Sequence, residues 1–381
     1  MKVPFNKPFI VGKELDYVRE AVDRGHLTGN GPYSKRCHQF FEQRYGMNKC
    51  LLTTSCTDAL EMSAILSDIK PGDEVIVPSF TFVSTANAFV LRGAKVVFAE
   101  SGTEHPNLDV NLLELLITER TRVIVVVHYA GVAVDMDPVM ELAAKHGIQV
   151  VEDAAQAIES SYKGKALGSI GDFSTFSFHE TKNVISGEGG LLAINQPEAV
   201  ERAEIIWEKG TNRAAFFRGD VNKYQWVDIG SSFLPSEMTA AFLWAQLENI
   251  ERIQDKRKNL WKSYREALSD LEDDERVNLP MIPDYATNNA HMFYLVTDGL
   301  ARRDELIKCL RAEGFHAVFH YQSLHRSPYY ANQHDGRDLT QADRYSNCLL
   351  RLPLFYELQE ETALQIASVV RRFFAEAKAK A

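Results

Sequence analysis

The sequence predicts an α/β protein with a mostly parallel central sheet between helices, followed by a smaller C-terminal α/β unit. Short apolar, β-branched runs alternate with helical segments over residues 50–193, which is typical of βαβ units. A shorter alternation of strand and helix patterns follows residue 290. We therefore expect a large domain at 1–245, which includes an N-terminal arm, and a small domain at 246–381.

The strands of the large unit are predicted from apolar runs of strand length, after a first short strand that ends near Thr53. The runs are 74–78, 94–100, 122–129, 148–153, 173–178 and 190–194. The helices predicted between them are 56–68, 82–93 and 137–147. Parallel sheets bind ligands at the carboxyl ends of their strands, so a site is expected just after these runs.

The second part of the chain begins with one long amphipathic pattern at 236–268, which predicts a single helix that bridges two lobes. The small unit is then predicted from a few shorter patterns. These are a strand at 291–297, a helix at 302–314, a strand at 316–322 and a terminal helix from about Glu360.

Composition excludes several classes of protein. The net charge of −10 argues against a nucleic-acid partner, because binding to the phosphate backbone needs a clustered positive field. The apolar runs are strand-sized and the first residues lack an apolar leader pattern, so neither membrane insertion nor secretion is expected. Five scattered cysteines without a CxxC pair favour reduced thiols in the cytoplasm and no metal site.

The string TTSCTDA at 53–59 follows a short strand and opens a predicted helix. Hydroxyl groups and free backbone N–H groups at a helix N-terminus can bind a phosphate dianion. For this string alone, ordinary capping of the helix by Ser55 or Thr57 is the better explanation.

Two further features fall at strand ends. Asp153 and Gln156 follow one apolar strand, and Lys182 follows another in the string SFHETKN. Taken alone, Asp153 is as well explained by capping, and an isolated lysine is normally a surface residue. Together with the phosphate-binding string, they provide what pyridoxal phosphate needs. Lys182 would bind the cofactor covalently and carry protons, Asp153 would hold the ring nitrogen protonated, and Ser177 could bind the phosphate.

Long strings of the chain point to a known family, among them LLTTSCTDALEMSAIL, GDEVIVPSFTFVSTANAFVLRGAKVVFAE and VVEDAAQAIESSYKGKALGSIGDFSTFSFHETKNVISGEGGLLAI. These strings resemble the sugar-nucleotide aminotransferases of the DegT/DnrJ/EryC type, a family of fold type I pyridoxal phosphate enzymes. The resemblance implies a homodimer with active sites at the subunit interface. It also implies amino transfer from L-glutamate to a nucleotide-linked keto sugar, with dTDP-4-keto-6-deoxyglucose as the expected acceptor.

The resemblance implies roles for individual residues as well. Lys182 and Asp153 are the catalytic pair, and further cofactor ligands are Gln156 near the phenolic oxygen, Ser177 at the phosphate, Thr57 and Asp58 through their backbone N–H groups, and Phe82 stacked on the ring. Without the resemblance, Phe82 would be read as a core phenylalanine on a helix face. Many relatives place an asparagine on the neighbouring subunit's phosphate. This chain has Ser232 at that position, so the contact is expected to differ.

Substrate ligands are expected in two segments. His179, close to the lysine, is either a substrate contact or a packing residue. The basic, aromatic stretch at 320–326 can meet the diphosphate of a nucleotide sugar or can be a surface loop. Its candidate residues are His320, Tyr321, His325 and Arg326. The string LTGNGP at 27–32 is either a mobile loop at the site or a turn before a helix.

Other functions fit the sequence less well. A cysteine desulfurase would add a reactive thiol, for which Cys56 at a predicted helix N-terminus is the candidate. A non-catalytic member of the fold would have no need of Lys182 and Asp153. An NAD-dependent enzyme would carry a GxGxxG string after its first strand, and this sequence has none there. Because a lysine is present where dehydrating relatives have histidine, we expect transamination.

Overall fold

The structure is a computed structural model that describes residues 2–379. Its strands are β1 Lys49–Thr53, β2 Glu74–Pro78, β3 Lys95–Ala99, β4 Thr121–Val127, β5 Gln149–Asp153, β6 Ser161–Tyr162, β7 Lys165–Ala166, β8 Phe173–Ser177, β9 Gly190–Ile194, β10 Val277–Asn278, β11 Phe293–Thr297, β12 Val318–Phe319 and β13 Leu349–Leu352. Its helices are α1 Glu14–Asp23, α2 Pro32–Tyr45, α3 Cys56–Leu66, α4 Val83–Val90, α5 Met136–His146, α6 Val200–Trp207, α7 Arg213–Arg218, α8 Glu237–Leu247, α9 Ile250–Ala267, α10 Leu300–Ala312, α11 Thr340–Cys348 and α12 Glu360–Ala379.

The large sheet has seven strands in the order β1-β9-β8-β5-β4-β2-β3. All of its strands run in one direction except β9, which is antiparallel to both β1 and β8. Helices cover both faces, since Val75 and Val77 pack in one apolar cluster with α3 and α4, whereas Ile76 packs in another with α2, α5 and α8. The predicted α/β class and mostly parallel sheet are confirmed.

The small sheet is antiparallel, with four strands in the order β10-β11-β13-β12. Helices α9, α10 and α12 pack against it around a third apolar cluster. The division of the chain into domains at residue 245 stays a prediction. Within residues 2–379, no helix combines the length and apolarity needed to cross a membrane, and no cluster of side chains suited to a metal ion is found.

The single long helix predicted at 236–268 is wrong. The chain forms α8 and α9 instead, separated at Glu248 and Asn249. The Nδ2 atom of Asn249 donates a hydrogen bond of 3.0 Å to the carbonyl oxygen of Ala245, in the last turn of α8. A side chain that bonds a terminal carbonyl competes with continuation of the helix, and the amphipathic pattern did not reveal this break.

The segment at 27–32 is held in place by Glu237, the first residue of α8. The buried Glu237 carboxylate accepts hydrogen bonds from the backbone N–H groups of Gly31, Tyr33 and Ser34, at 2.9, 2.8 and 3.0 Å. These are N–H groups at the start of α2, which have no partner within the helix. Of the two interpretations of this segment, a turn before a helix describes its structure.

The N-terminal arm crosses to the small unit. The backbone of Val3 pairs with that of Phe315, and the N–H groups of Lys2 and Val3 both donate to the carbonyl oxygen of Gly314. This pairing fixes the next residues, Phe5 and Asn6, against the cavity described below.

Candidate active site

A cavity of about 780 Å³ lies between the carboxyl edge of the large sheet and the small sheet. Most of the site residues predicted from the sequence line it: Thr57, Phe82, Asp153, Gln156, Ser177, His179, Lys182, His320 and Tyr321. Other predicted residues lie outside its wall: Asp58, Ser232, His325 and Arg326. The fold therefore brings the predicted cofactor groups together, while it separates the predicted substrate segment into two parts.

Asp153 is the last residue of β5, and its side chain is buried. Its Oδ2 atom accepts a hydrogen bond of 2.7 Å from Oγ1 of Thr85, and its Oδ1 atom accepts one of 3.1 Å from the N–H of Ala155. Burial raises the pKa of the carboxyl above its ordinary value, although both donors favour the ionised form. Within the described residues, no cation lies within 4 Å of this carboxylate.

Lys182 follows β8 and projects into the same cavity. Burial lowers the pKa of its amine, the positive charge of Arg351 lowers it further, and Asp153 raises it. In the described part of the chain, its Nζ atom has no hydrogen-bond or ion-pair partner. An amine in this setting has a larger neutral fraction than a surface lysine, as a nucleophile or a base requires.

The N-terminus of α3 forms another part of the wall. Ser55 caps the helix, because its Oγ atom accepts a hydrogen bond of 3.1 Å from the N–H of Asp58. The hydroxyl of Thr57 lies 2.8 Å from that of Ser84. Gly190 permits β9 to pass this close, since a Cβ atom there would lie 2.4 Å from the backbone N of Cys56. The ordinary capping role is thus present, and it uses the N–H group of Asp58.

Phe82 is the N-cap residue of α4 and is 55% exposed, with its ring facing the cavity. The interpretation of this residue as a core phenylalanine is wrong. Its ring centroid lies 6.1 Å from that of Tyr321. The hydroxyl of Tyr321 in turn accepts a hydrogen bond of 2.8 Å from Nε2 of Gln156, whose Oε1 atom is held by the N–H of Ala130.

The segment 320–326 divides between the cavity and the protein interior. His320 stacks on Tyr321 at 3.6 Å, and its Nδ1 atom lies 2.7 Å from the hydroxyl of Tyr129. Burial lowers the pKa of His320 well below its ordinary value, which favours a neutral ring. His325 is instead buried against Ser79, at 2.7 Å, and Arg326 forms an exposed ion pair with an aspartate.

The remaining predicted residues differ in their positions. Ser177 lines the cavity at the end of β8, and its Oγ atom accepts a hydrogen bond of 3.4 Å from the N–H of His179. Nε2 of His179 lies 3.7 Å from the carboxylate of Glu188. Ser232 lies on the surface, in a backbone bridge with Glu208. Burial raises the pKa of the Cys56 thiol, which gives no support to the rival interpretation as a desulfurase with a reactive thiol.

Several cavity residues were missed by the sequence analysis. They are Phe5, Asn6, Thr85, His291 and Arg351. A signal existed for Arg351, because an arginine inside the apolar string LLRLPLF is unusual for a buried strand. Phe5 and Asn6 reach the cavity only through pairing of the N-terminal arm with residues far along the chain, which no local pattern encodes.

The residues present fit pyridoxal phosphate. The buried, cation-free carboxylate of Asp153 would gain a partner in a protonated ring nitrogen, and a buried charge is costly without one. The unpartnered amine of Lys182 can form the covalent link, and the exposed ring of Phe82 can cover a flat ligand. The N-terminus of α3 would receive the phosphate.

Comparison with known proteins identifies the family. Residues 8–371 match the DegT/DnrJ/EryC1/StrS aminotransferase family. The chain belongs to this family. Among its relatives, the spore coat polysaccharide biosynthesis protein SpsC of Bacillus subtilis (strain 168) is 31% identical over 378 residues, which cover 97% of this chain and 96% of SpsC. The GDP-perosamine synthase of Caulobacter vibrioides is 33% identical over 331 residues, with coverage of 85% and 86%.

A solved structure of the same kind is that of S. venezuelae DesV in complex with a ketimine intermediate. It matches with a TM-score of 0.89 and 31% identity over 98% of each chain. This DegT/DnrJ/EryC1/StrS family member is accordingly a sugar aminotransferase that uses pyridoxal phosphate. Family, enzyme class and cofactor agree with the sequence analysis.

Proposed function

We propose that the enzyme transfers the amino group of L-glutamate to C4 of dTDP-4-keto-6-deoxyglucose. The product would be dTDP-4-amino-4,6-dideoxygalactose, because the motif strings resemble the transaminase that makes it for enterobacterial common antigen. A sugar-nucleotide substrate is supported by the relative named GDP-perosamine synthase. A role in a cell-surface polysaccharide is supported by the relative named for the spore coat polysaccharide. Another 3- or 4-amination of a nucleotide sugar is the alternative.

One observation carries the assignment of the chemistry. Lys182 and Asp153 leave two strands of one sheet at the same edge and enter a single cavity, without a counter-ion for either within 4 Å in the described chain. A free amine and a buried carboxylate in one cavity match the two groups of the cofactor that need them, its aldehyde and its ring nitrogen.

Bound pyridoxal phosphate supplies an electron sink for the carbon next to the substrate nitrogen. Lys182 would hold the cofactor covalently until the amino donor displaces it. Its freed Nζ atom would then carry the proton from the α-carbon of glutamate to the cofactor, and in the second half-reaction it would carry a proton from the cofactor to C4 of the sugar. Asp153 keeps the proton on the ring nitrogen throughout, with Thr85 and Ala155 orienting its carboxylate.

The other roles follow from position in the cavity. Gln156, whose Oε1 atom is held by the N–H of Ala130, is proposed to contact the phenolic oxygen, and Phe82 is proposed to stack on the ring. Ser177 and the backbone N–H groups of Thr57 and Asp58 are proposed phosphate ligands. The N–H group of Asp58 donates to Oγ of Ser55, so it would bind phosphate by breaking this hydrogen bond or by sharing its proton between the two acceptors.

The sugar is proposed to bind near His179, His320 and Tyr321, which face the cavity. Arg326 would contact the substrate only where the nucleotide extends beyond this cavity, and the buried His325 is not proposed as a ligand.

We further propose a homodimer in which Ser232 reaches the partner's phosphate site. This segment is supported as an interface by two nearby exposed side chains, Trp226 at 82% and Phe217 at 70%. The five cysteines, which are all free, fit a cytoplasmic location.

The direct test is to incubate the holoenzyme with L-glutamate and a panel of dTDP-, UDP- and GDP-linked 3-keto and 4-keto sugars. NMR of each product reads the position and the configuration of the new amine. Axial amination at C4 of the dTDP sugar is expected. Turnover confined to another nucleotide, to C3 or to the equatorial product would contradict the proposed substrate while leaving the enzyme class intact.

A further inference from the structure

Arg351 lies in the middle of the small sheet and faces the cavity. It belongs to β13, where it pairs with Tyr294 of β11 and Val318 of β12. Its neighbours Leu350 and Leu352 are buried in the apolar cluster of the small unit. Because side chains alternate along a strand, this register sends Arg351 to the opposite face, which is the cavity wall.

The guanidinium of Arg351 has few partners. Its Nη2 atom donates a hydrogen bond of 3.1 Å to the carbonyl oxygen of Phe319, and its centre lies 4.5 Å from the ring of Phe5. Its Nε atom is buried and has no hydrogen-bond partner. Across the described chain, no carboxylate lies within 4 Å of it. A guanidinium carries five N–H donors, so most of this group is available to a ligand.

Three other arginines with little exposure are engaged through most of their N–H groups. Arg276 is paired with Asp274, and Arg303 contacts Asp304 and a carbonyl oxygen. Arg257 donates to the carbonyl oxygens of Ala290, His291 and Leu354. Arg351 differs from these three because it faces a cavity with most of its donors unused. A positive charge that is partly buried without an anion is costly, so its setting indicates a missing negative partner.

The anion must fit the reaction proposed above, on which this inference rests. Both substrates are anions, but they carry the charge at different distances from the reacting atoms. The donor has a carboxylate on the carbon that bears its amino group, whereas a hexose ring separates the sugar's reacting carbon from the diphosphate. Arg351 is near enough to Lys182 for its charge to lower the pKa of that amine. A guanidinium binds a carboxylate through two parallel hydrogen bonds.

We propose that Arg351 binds a carboxylate of the amino donor, held in place by stacking on Phe5. The N-terminal arm thus contributes to donor binding, because pairing of Val3 with Phe315 positions Phe5 over the guanidinium.

The test uses holoenzyme with Arg351→Met, Arg351→Lys and a control, Arg371→Met, which changes an exposed arginine on α12. Calorimetry measures binding of glutarate, a dicarboxylate that cannot react, and of dTDP. Stopped-flow absorbance measures the donor half-reaction with glutamate alone. We expect Arg351→Met to weaken glutarate binding about 10- to 100-fold and to leave dTDP binding unchanged. Arg351→Lys should bind glutarate with an affinity between those of the wild type and Arg351→Met, and Arg371→Met should bind it like the wild type.

The opposite patterns would overturn the inference. Weakened dTDP binding with normal glutarate binding would assign Arg351 to the nucleotide diphosphate, and no change in either ligand would leave it a structural residue. If Arg351→Met does not fold, as judged by circular dichroism, Arg351→Lys decides by the same comparison. A wild type that reacts with glutamate but aminates no sugar would contradict the proposed substrate alone, since this half-reaction needs no sugar.

Discussion

Thr85 donates a hydrogen bond of 2.7 Å from its Oγ1 atom to Oδ2 of Asp153, and both side chains are buried. The bond joins the first turns of α4 to the end of β5. It orients the carboxylate towards the cavity and stabilises its ionised form against burial, which raises the pKa of Asp153. Several expectations for activity follow from this pair.

Asp153→Asn should lower kcat about 100- to 1,000-fold. The amide has similar size, but it carries no charge to keep the ring nitrogen protonated, so the electron sink weakens. Single-turnover kinetics with glutamate measure this, and Asp16→Asn on the exposed face of α1 is the control. Near-normal turnover in Asp153→Asn would show that another carboxylate holds the ring.

Thr85→Val should move the acid limb of the kcat profile to higher pH. Loss of the hydroxyl removes a donor that favours the ionised carboxylate, so the pKa of Asp153 rises further above its ordinary value and protonation begins at higher pH. A hydrogen bond to a charged group is worth about 1.5 kcal/mol or more, which corresponds to about one pH unit. Thr85→Ser keeps the hydroxyl and should retain the wild-type limb. An unchanged acid limb in Thr85→Val would show that the titration of Asp153 does not set this limb.

Much of the large unit could be predicted from local sequence. β2 and β9 begin and end where their apolar runs do, because strands buried on both faces have no polar positions inside them. Lys182 and Asp153 could be found for the same reason, since Asp153 ends one such run and Lys182 follows another after three polar residues. The terminal helix from Glu360 was also predicted.

Tertiary contacts explain what the sequence did not reveal. β12 spans Val318–Phe319 rather than the predicted 316–322, since its backbone pairs with β13 over two residues. The strand β13 was not predicted, because Arg351 interrupts its apolar pattern. The arginine is placed there because its side chain faces the cavity. His325 resembles a surface ligand by type, but the fold buries it against Ser79.

Glu237→Ala should lower the free energy of unfolding by about 3 kcal/mol or more. The substitution leaves the N–H groups of Gly31, Tyr33 and Ser34 without their acceptor, and each buried donor without a partner costs about 1–3 kcal/mol. Urea denaturation measures the change. Glu141→Ala, on the exposed side of α5, should change stability by less than about 0.5 kcal/mol. Equal effects of the two substitutions would show that Glu237 does not hold this segment.

His38→Gln should reduce the loss of stability in acid. Nε2 of His38 accepts a hydrogen bond of 2.9 Å from the N–H of Leu52, which requires a neutral ring, and burial lowers its pKa from 6.5 to about 3. As pH decreases, His38 is therefore protonated in the unfolded chain before it is protonated in the folded one. The free energy of unfolding consequently falls between pH 6.5 and about 3. One proton corresponds to about 1.4 kcal/mol per pH unit. Urea denaturation at several pH values should show a shallower slope in His38→Gln, and an identical slope would mean that His38 is already protonated when folded.

The most direct measurement of the central claim is reduction of the holoenzyme with sodium borohydride, followed by digestion and mass spectrometry. We predict that the cofactor is fixed on the peptide that contains Lys182. The labelled peptide should be absent from Lys182→Ala, which should fold normally but lack turnover. It should persist in Lys163→Ala, which changes an exposed lysine paired with Asp137. Cofactor fixed on a different lysine, or turnover retained by Lys182→Ala, would contradict the assignment.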